Sequence, residues 1–179
     1  MRRLPLLIVL FAMLTLAAGL RPFAQAATPP TYTPVGQGDV YLALGDSLST
    51  GDEEPTNSAS EGFLPGYPAY FHSFLQQTQP ISYTLLGVSG ETSSSMRAPG
   101  GQLEQAVAFI NERQAAGEVV SPVTLSIGGN DAVSVLLGGT RTVTESVALF
   151  RTNLDVILDE LQTALGGEGD LLLMNYYNP

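Results

Sequence analysis

The chain has 179 residues, 44% of them hydrophobic and 13% charged, which excludes a disordered or fibrous protein. Its formal net charge is −10 with only seven Lys and Arg, and such a surface repels phosphate backbones, which argues against a nucleic-acid partner. Cysteine is absent from the sequence, so neither disulfides nor thiolate metal sites contribute to it.

The first 26 residues have the pattern of a secretory signal. Arginines at positions 2 and 3 precede an apolar run that extends to Leu20, and residues 24–26 (AQA) have the small-x-small form that signal peptidase accepts. The alternative is an uncleaved membrane anchor, but the run has about the minimum length for a span and contains Pro5. We therefore predict secretion with cleavage after Ala26, and no membrane span in the mature protein.

From residue 27 onward, the apolar pattern alternates between short strand-like runs and longer helical ones. Residues 27–38 (ATPPTYTPVGQG) have the composition of a linker, and the domain begins at 39. In chain order we predict a strand at 40–44, a helix at 67–77, a strand at 81–88, a helix at 101–117, a strand within 122–129, a helix at 144–167 and a strand at 171–177. This alternation predicts an α/β fold with a parallel sheet covered on both faces.

Polar, glycine-rich segments follow the first three predicted strands. They are GDSL at 45–48, GVSGETS at 87–93 and GGND at 128–131. The carboxyl ends of parallel strands lie at the same edge of a sheet, where functional loops collect. The sequence therefore predicts a site at this edge.

In this order and spacing, the three segments resemble the first three conserved blocks of the SGNH, or GDSL, hydrolase family. The resemblance covers residues 38–179. It implies a flavodoxin-like three-layer α/β/α sandwich. It also implies hydrolysis of carboxylic esters, such as small-molecule, lipid or glycan esters, with neither a metal nor an organic cofactor.

The resemblance also implies a role for each matching residue. Ser47 would be the nucleophile, at a strand end before a helix. The N–H groups of Ser47 and Gly90 and the side-chain amide of Asn130 would bind the oxyanion. Asp46 and Asp131 would hold the loops by hydrogen bonding.

The chain departs from the family pattern in one respect. The family's fourth block supplies an Asp and, three residues later, the general-base His, and this sequence contains no such pair. Its single histidine is His72, inside the predicted helix 67–77, where we expect a packed or solvated side chain rather than a substitute base. We therefore expect residues 39–179 to be an SGNH domain truncated before its last strand, from a longer gene product, with negligible activity by itself.

Other interpretations stay open at this stage. Asp46 and Ser47 also have the composition of an ordinary helix cap, and Ser93–Ser95 that of turn and cap residues. A secreted, non-catalytic domain that binds an ester or a glycan would show the same three segments. A third alternative is a chain that does not fold stably, because residues 171–177 would form an unpaired edge strand.

Overall fold

The computed structural model describes residues 33–51 and 65–175. The predicted signal segment, residues 52–64 and the last four residues of the chain lie outside the described residues, and the predicted linker does so in part. The described residues from 34 onward form one compact unit.

Four strands form one sheet in the described part of the chain, and each pairs in parallel with its neighbours. Their order across the sheet is β2-β1-β3-β4, with bounds of β1 Val40–Gly45, β2 Ser82–Leu85, β3 Val120–Ser126 and β4 Leu171–Leu173. The predicted parallel α/β architecture is confirmed. Every residue of β1 is buried, as its wholly apolar sequence predicts for a strand covered on both faces.

Six helices accompany this sheet among the described residues. They are α1 Ser47–Thr50, α2 Tyr67–Leu75, α3 Ser93–Met96, α4 Gln102–Ala115, α5 Gly129–Leu136 and α6 Val143–Leu165. The longer helices α2, α4 and α6 were predicted. Helices α1, α3 and α5 were not, because four or eight residues are too few for an apolar period to stand out.

The main core lies between one face of the sheet and helices α4 and α6. It contains Leu42 and Leu125 from the strands, with Ile110 of α4 and Ile157 of α6, all fully buried. Across the sheet, a smaller cluster packs against α2 and includes Tyr41 and Leu75. Helices on both faces give the three layers that the family resemblance implies.

Part of the predicted linker is hydrogen-bonded to the domain. The N–H groups of Val35 and Gly36 donate to the two carboxylate oxygens of Asp170 at 2.8 and 2.9 Å. The N–H of Gly38 donates to the Ser121 carbonyl at 2.9 Å. These bonds attach the segment to the start of the domain at the amino ends of β3 and β4.

Tyr41 is fully buried, and its hydroxyl lies 2.8 Å from Oγ1 of Thr124. Burial raises the pKa of Tyr41 above its ordinary value. The folded state therefore holds the phenol proton more tightly than the unfolded state does. Its stabilising effect is complete below the unfolded pKa of about 10 and is lost as the pH rises from there towards the folded pKa.

We expect Tyr41→Phe to lower the free energy of unfolding by about 1 kcal/mol at pH 7, since Thr124 loses one partner. The alkaline decline in stability should become shallower, because the variant has no buried phenol whose pKa differs between the folded and unfolded states. Urea unfolding at pH 7 and between about pH 10 and 11.5 measures both effects. Tyr70→Phe, at a side chain 60% exposed, is the control. An unchanged alkaline slope in Tyr41→Phe would contradict the assignment to Tyr41.

Candidate active site

The three glycine-rich segments lie side by side at the carboxyl edge of the sheet. The N–H of Asp46 donates to the carbonyl of Ser126 at 3.0 Å, which joins the end of β1 to the end of β3. The N–H of Val88 donates to the Gly45 carbonyl at 2.9 Å, which joins the loop after β2 to the end of β1. The structure thus brings the segments that carry Ser47, Gly90 and Asn130 together.

Asp46 shapes the turn that presents Ser47. Its carboxylate is buried and accepts from the N–H of Leu48 at 3.0 Å, and its carbonyl accepts from Ser49 Oγ at 2.6 Å. Ser47 itself is exposed, and its hydroxyl makes no hydrogen bond to any described residue. Asp46 is therefore a helix cap, and the same cap leaves the Ser47 hydroxyl accessible.

Helix α1, which begins at Ser47, has only four residues. The dipole of a helix favours negative charge at its amino end. Because a dipole of that kind needs several aligned turns, α1 contributes little to it. The accessibility of Ser47 comes from the end of the strand and its Asp46 cap.

Gly90 occupies the third position of a tight turn between Val88 and Glu91. The N–H of Glu91 donates to the carbonyl of Val88 at 3.1 Å, and Gly90 has φ +79°. This conformation favours glycine over other residues. No atom lies within 4 Å of where a Cβ would stand, and the Gly90 N–H donates to no described residue. A small group can therefore approach this N–H from outside.

Asn130 lies against the Gly90 loop. Its Nδ2 donates to the carbonyl of Glu91 at 2.9 Å, which holds the amide beside the Glu91–Thr92 peptide, one residue after Gly90. An asparagine amide carries two N–H donors, so this bond orients the side chain and leaves one donor for a ligand. Asn130 stays partly exposed at the start of α5.

Asp131 connects three helices. Its carboxylate accepts from the N–H of Ser93 at 2.8 Å and from Ser93 Oγ at 2.5 Å. Ser93 Oγ in turn accepts from Nδ2 of the buried Asn153 on α6 at 3.0 Å. Asp131 thereby ties α5 to α3 and α6, a contact consistent with its predicted role in holding the loops.

Gln102 is a positioning residue that the sequence analysis missed. It is buried, its Oε1 accepts from the Gly45 N–H at 2.6 Å, and its Nε2 donates to the Gly45 carbonyl at 3.0 Å. The same Nε2 lies 3.0 Å from Oε2 of Glu91, a carboxylate that also accepts from Ser95 Oγ. The Gln102 side chain therefore binds both Gly45, the residue before Asp46, and Glu91, the residue after Gly90. In the sequence it is only a polar residue at a helix start, and no local signal marks it.

His72 lies at the opposite edge of the sheet from Ser47. Its Nε2 is 2.9 Å from the carbonyl of Ile81, just before β2, and its ring stacks on Tyr83. Because Ser82 pairs with Val40 at the start of β1, His72 is about the length of β1 from Ser47, roughly 20 Å. The histidine is packed, as expected, and does not reach the serine.

The described residues hold no group of three His, Cys, Asp or Glu side chains arranged to bind a metal ion. Within the same residues, no helix combines the length and apolarity needed to cross a bilayer.

A family model described as a GDSL-like lipase/acylhydrolase matches residues 43–175. Among solved structures, an acetylxylan esterase from Geobacillus stearothermophilus is similar at a TM-score of 0.53 and 23% identity, with 79% of this chain and 61% of that chain covered. Phospholipase A1 from Streptomyces albidoflavus NA297 is similar at a TM-score of 0.50 and 20% identity, covering 78% and 60%. The chain thus spans about three fifths of the length of these structures, which share its fold. No curated protein matches it significantly.

Proposed function

The chain belongs to the GDSL-like lipase/acylhydrolase family, and we propose that its domain is the front part of a secreted serine hydrolase of carboxylic esters. The observation that carries this proposal is the contact between the loops of Ser47, Gly90 and Asn130, with an accessible hydroxyl on the first. Export with cleavage after Ala26 is part of the proposal, and an exported protein whose amino terminus is not Ala27 would contradict that part.

The proposed reaction is acyl transfer through Ser47. Its Oγ attacks the ester carbonyl carbon, and negative charge moves to the carbonyl oxygen, which the N–H groups of Ser47 and Gly90 and Nδ2 of Asn130 stabilise. The C–O bond to the alcohol then breaks, and the alcohol leaves with the proton that the serine lost. Water releases the acid from the acyl-serine in a second round of the same steps.

The proton transfers in this scheme need a base near Ser47. A serine hydroxyl is a weak nucleophile at neutral pH without one, and the only histidine in these 179 residues lies at the other edge of the sheet. We therefore propose that this chain alone turns over esters negligibly. In a complete enzyme, the Asp and His pair implied by the family would come from residues other than these.

No histidine lies at the carboxyl edge among the described residues, which also favours a second candidate, a secreted domain that binds an ester or a glycan without cleaving it. Covalent labelling separates the two candidates. We expect an alkyl fluorophosphonate to modify Ser47 in the presence of imidazole, as mapped by peptide mass spectrometry, and Ser47→Ala to abolish the label. Ser89→Ala, at an exposed serine of the Gly90 loop, should keep it. Absence of fluorophosphonate modification at Ser47 would support the binding domain instead.

A further inference from the structure

Glu91 is a buried carboxylate at the end of the exposed turn that presents Gly90. Its exposed fraction is 7%, whereas Val88, Ser89 and Gly90 are all exposed. Both ion pairs found among the described residues belong to Arg113, so Glu91 is buried without one. A carboxylate taken out of water loses its hydration, and an apolar side chain would fill the same place with a smaller desolvation penalty. The hydrogen bonds of Glu91 therefore account for a carboxylate here.

Both carboxylate oxygens of Glu91 accept hydrogen bonds from helices that follow the turn in the chain. Oε2 accepts from Nε2 of the buried Gln102 at 3.0 Å, and Oε1 accepts from Ser95 Oγ. Ser95 Oγ in turn accepts from the N–H of Thr92 at 2.9 Å. These bonds attach the Glu91 side chain to α4 through Gln102 and to α3 through Ser95. The residue after Gly90 is thereby fixed to two helices.

The main chain of Glu91 contacts the groups that would bind the oxyanion. Its N–H donates to the carbonyl of Val88 at 3.1 Å, which closes the turn around Gly90. Its carbonyl accepts from Nδ2 of Asn130 at 2.9 Å. The peptide before Glu91 thus belongs to the turn, and the peptide after it orients the Asn130 amide. A shift of the Glu91 side chain would move both.

We propose that Glu91 is a positioning residue for acyl transfer, whose carboxylate holds the Gly90 turn and the Asn130 amide in the arrangement that binds the oxyanion. The inference rests on the proposed function and adds a residue to it. Gln102 extends the same network to the end of β1, since it binds the N–H and the carbonyl of Gly45. Donors that are fixed before the reaction stabilise developing negative charge without reorganisation, so loosening them slows acyl transfer.

Ser47→Cys provides a test that needs no added base, because the sequence has no other cysteine and a thiolate is a strong nucleophile. The thiolate attacks the carbonyl carbon of p-nitrophenyl butyrate, p-nitrophenolate leaves, and a butyryl thioester remains on the variant. Negative charge passes through the carbonyl oxygen, so this acylation depends on the oxyanion donors. Iodoacetamide alkylates the same thiolate by displacing iodide from a saturated carbon, which requires no oxyanion donor. The ratio of the acylation to the alkylation rate constant therefore reports on the donors.

Two substitutions at Glu91 in the Ser47→Cys background separate the reach of the side chain from its charge. Glu91→Gln keeps the length, and its carbonyl oxygen can accept from Gln102 while its amide donates to Ser95 Oγ. The ratio should then stay within about threefold of the parent value. Glu91→Asp keeps the charge but is one methylene shorter, so it does not reach Gln102 and Ser95 together. Acylation should fall by at least about tenfold and alkylation by less than about twofold.

Glu145→Asp is the matched control, since it makes the same change at an exposed carboxylate that accepts two hydrogen bonds from Thr142. It should change neither rate. Thermal unfolding verifies that each variant is folded at the assay temperature. Ser95→Ala, at an exposed position, removes one of the two partners of the Glu91 carboxylate and should lower the ratio by about threefold. This variant decides the test if Glu91→Asp does not fold, and an unchanged ratio in it then overturns the proposal.

The unfolded chain separates this inference from the hydrolase proposal. In urea, where the donors are not assembled, the Ser47→Cys variant gives the ratio of an ordinary thiol. A folded ratio no higher than that one contradicts the hydrolase proposal and, with it, the role of Glu91. A raised folded ratio overturns the role of Glu91 alone if Glu91→Asp leaves it unchanged, if Glu91→Gln lowers it equally, or if alkylation falls as much as acylation. A raised ratio that falls in Glu91→Asp and persists in Glu91→Gln supports both proposals.

Discussion

Ser47→Ala is expected to abolish the ester hydrolysis that added imidazole supports in this chain. Ser47 is exposed with no described hydrogen-bond partner, so a small base from solution has access to its hydroxyl. With p-nitrophenyl butyrate as substrate, the chain alone should show turnover near background, since serine without a base is a poor nucleophile. Imidazole should raise the rate, and Ser47→Ala should lower the protein-dependent part by at least about a hundredfold.

Three controls belong to this experiment. The rate with imidazole and no protein is subtracted, and Ser89→Ala should keep the imidazole-dependent rate within about twofold, because the side chain of this serine is exposed and makes no hydrogen bond to any described residue. His72→Ala should also leave that rate unchanged. Turnover that needs Ser47 but not imidazole, and that disappears in His72→Ala, would show that His72 is the base and that the packed position of this histidine does not persist during turnover.

Gly45→Ala is expected to destabilise the fold by about 4 kcal/mol, a large fraction of the stability of a typical domain. A Cβ at this position would lie 2.2 Å from the carbonyl oxygen of Ser126, the residue with which Gly45 pairs at the ends of β1 and β3. Gly45 also has φ +134°, which an alanine rarely adopts. Loss of the Gly45 peptide geometry would in addition displace Gln102, which binds both its N–H and its carbonyl.

Gly117→Ala is the matched control for this substitution. Gly117 also has a positive φ, +82°, but nothing lies within 4 Å of where its Cβ would stand. Gly117→Ala should therefore lower the free energy of unfolding only by the backbone strain, about 1–2 kcal/mol. Urea unfolding of both variants measures the difference. Equal destabilisation by the two substitutions would show that backbone strain, and not the collision with Ser126, is what Gly45 avoids.

The elements predicted from the sequence are those with a strong apolar pattern. The run VYLAL predicted a strand buried on both faces, and β1 is one. Helix α6 was predicted at 144–167 and spans Val143–Leu165, with a Thr142 cap and Gly166 in the left-handed conformation. The strand at 81–88 was predicted too long. Only Ser82–Leu85 form β2, although Leu86 and Val88 continue to donate to β1 carbonyls.

The residues of the candidate site also fall into those that the sequence identified and those that it missed. Short motifs identified Ser47, Gly90 and Asn130 because they mark where chemistry is expected, and their roles remain predictions. Gln102 and Asn153 were missed, since each has its effect through partners distant in sequence. Gln102 reaches Gly45 across 57 positions, and Asn153 reaches Ser93 across 60.

By itself, the sequence determined the α/β class, the parallel sheet and the edge at which the polar loops gather, because periodicity and strand-end position are local properties. Only the tertiary structure decided which buried side chains hold those loops and where His72 lies. These features depend on distances between segments far apart in the chain. Such distances arise when helices pack on a sheet, and no local pattern of residue types encodes them.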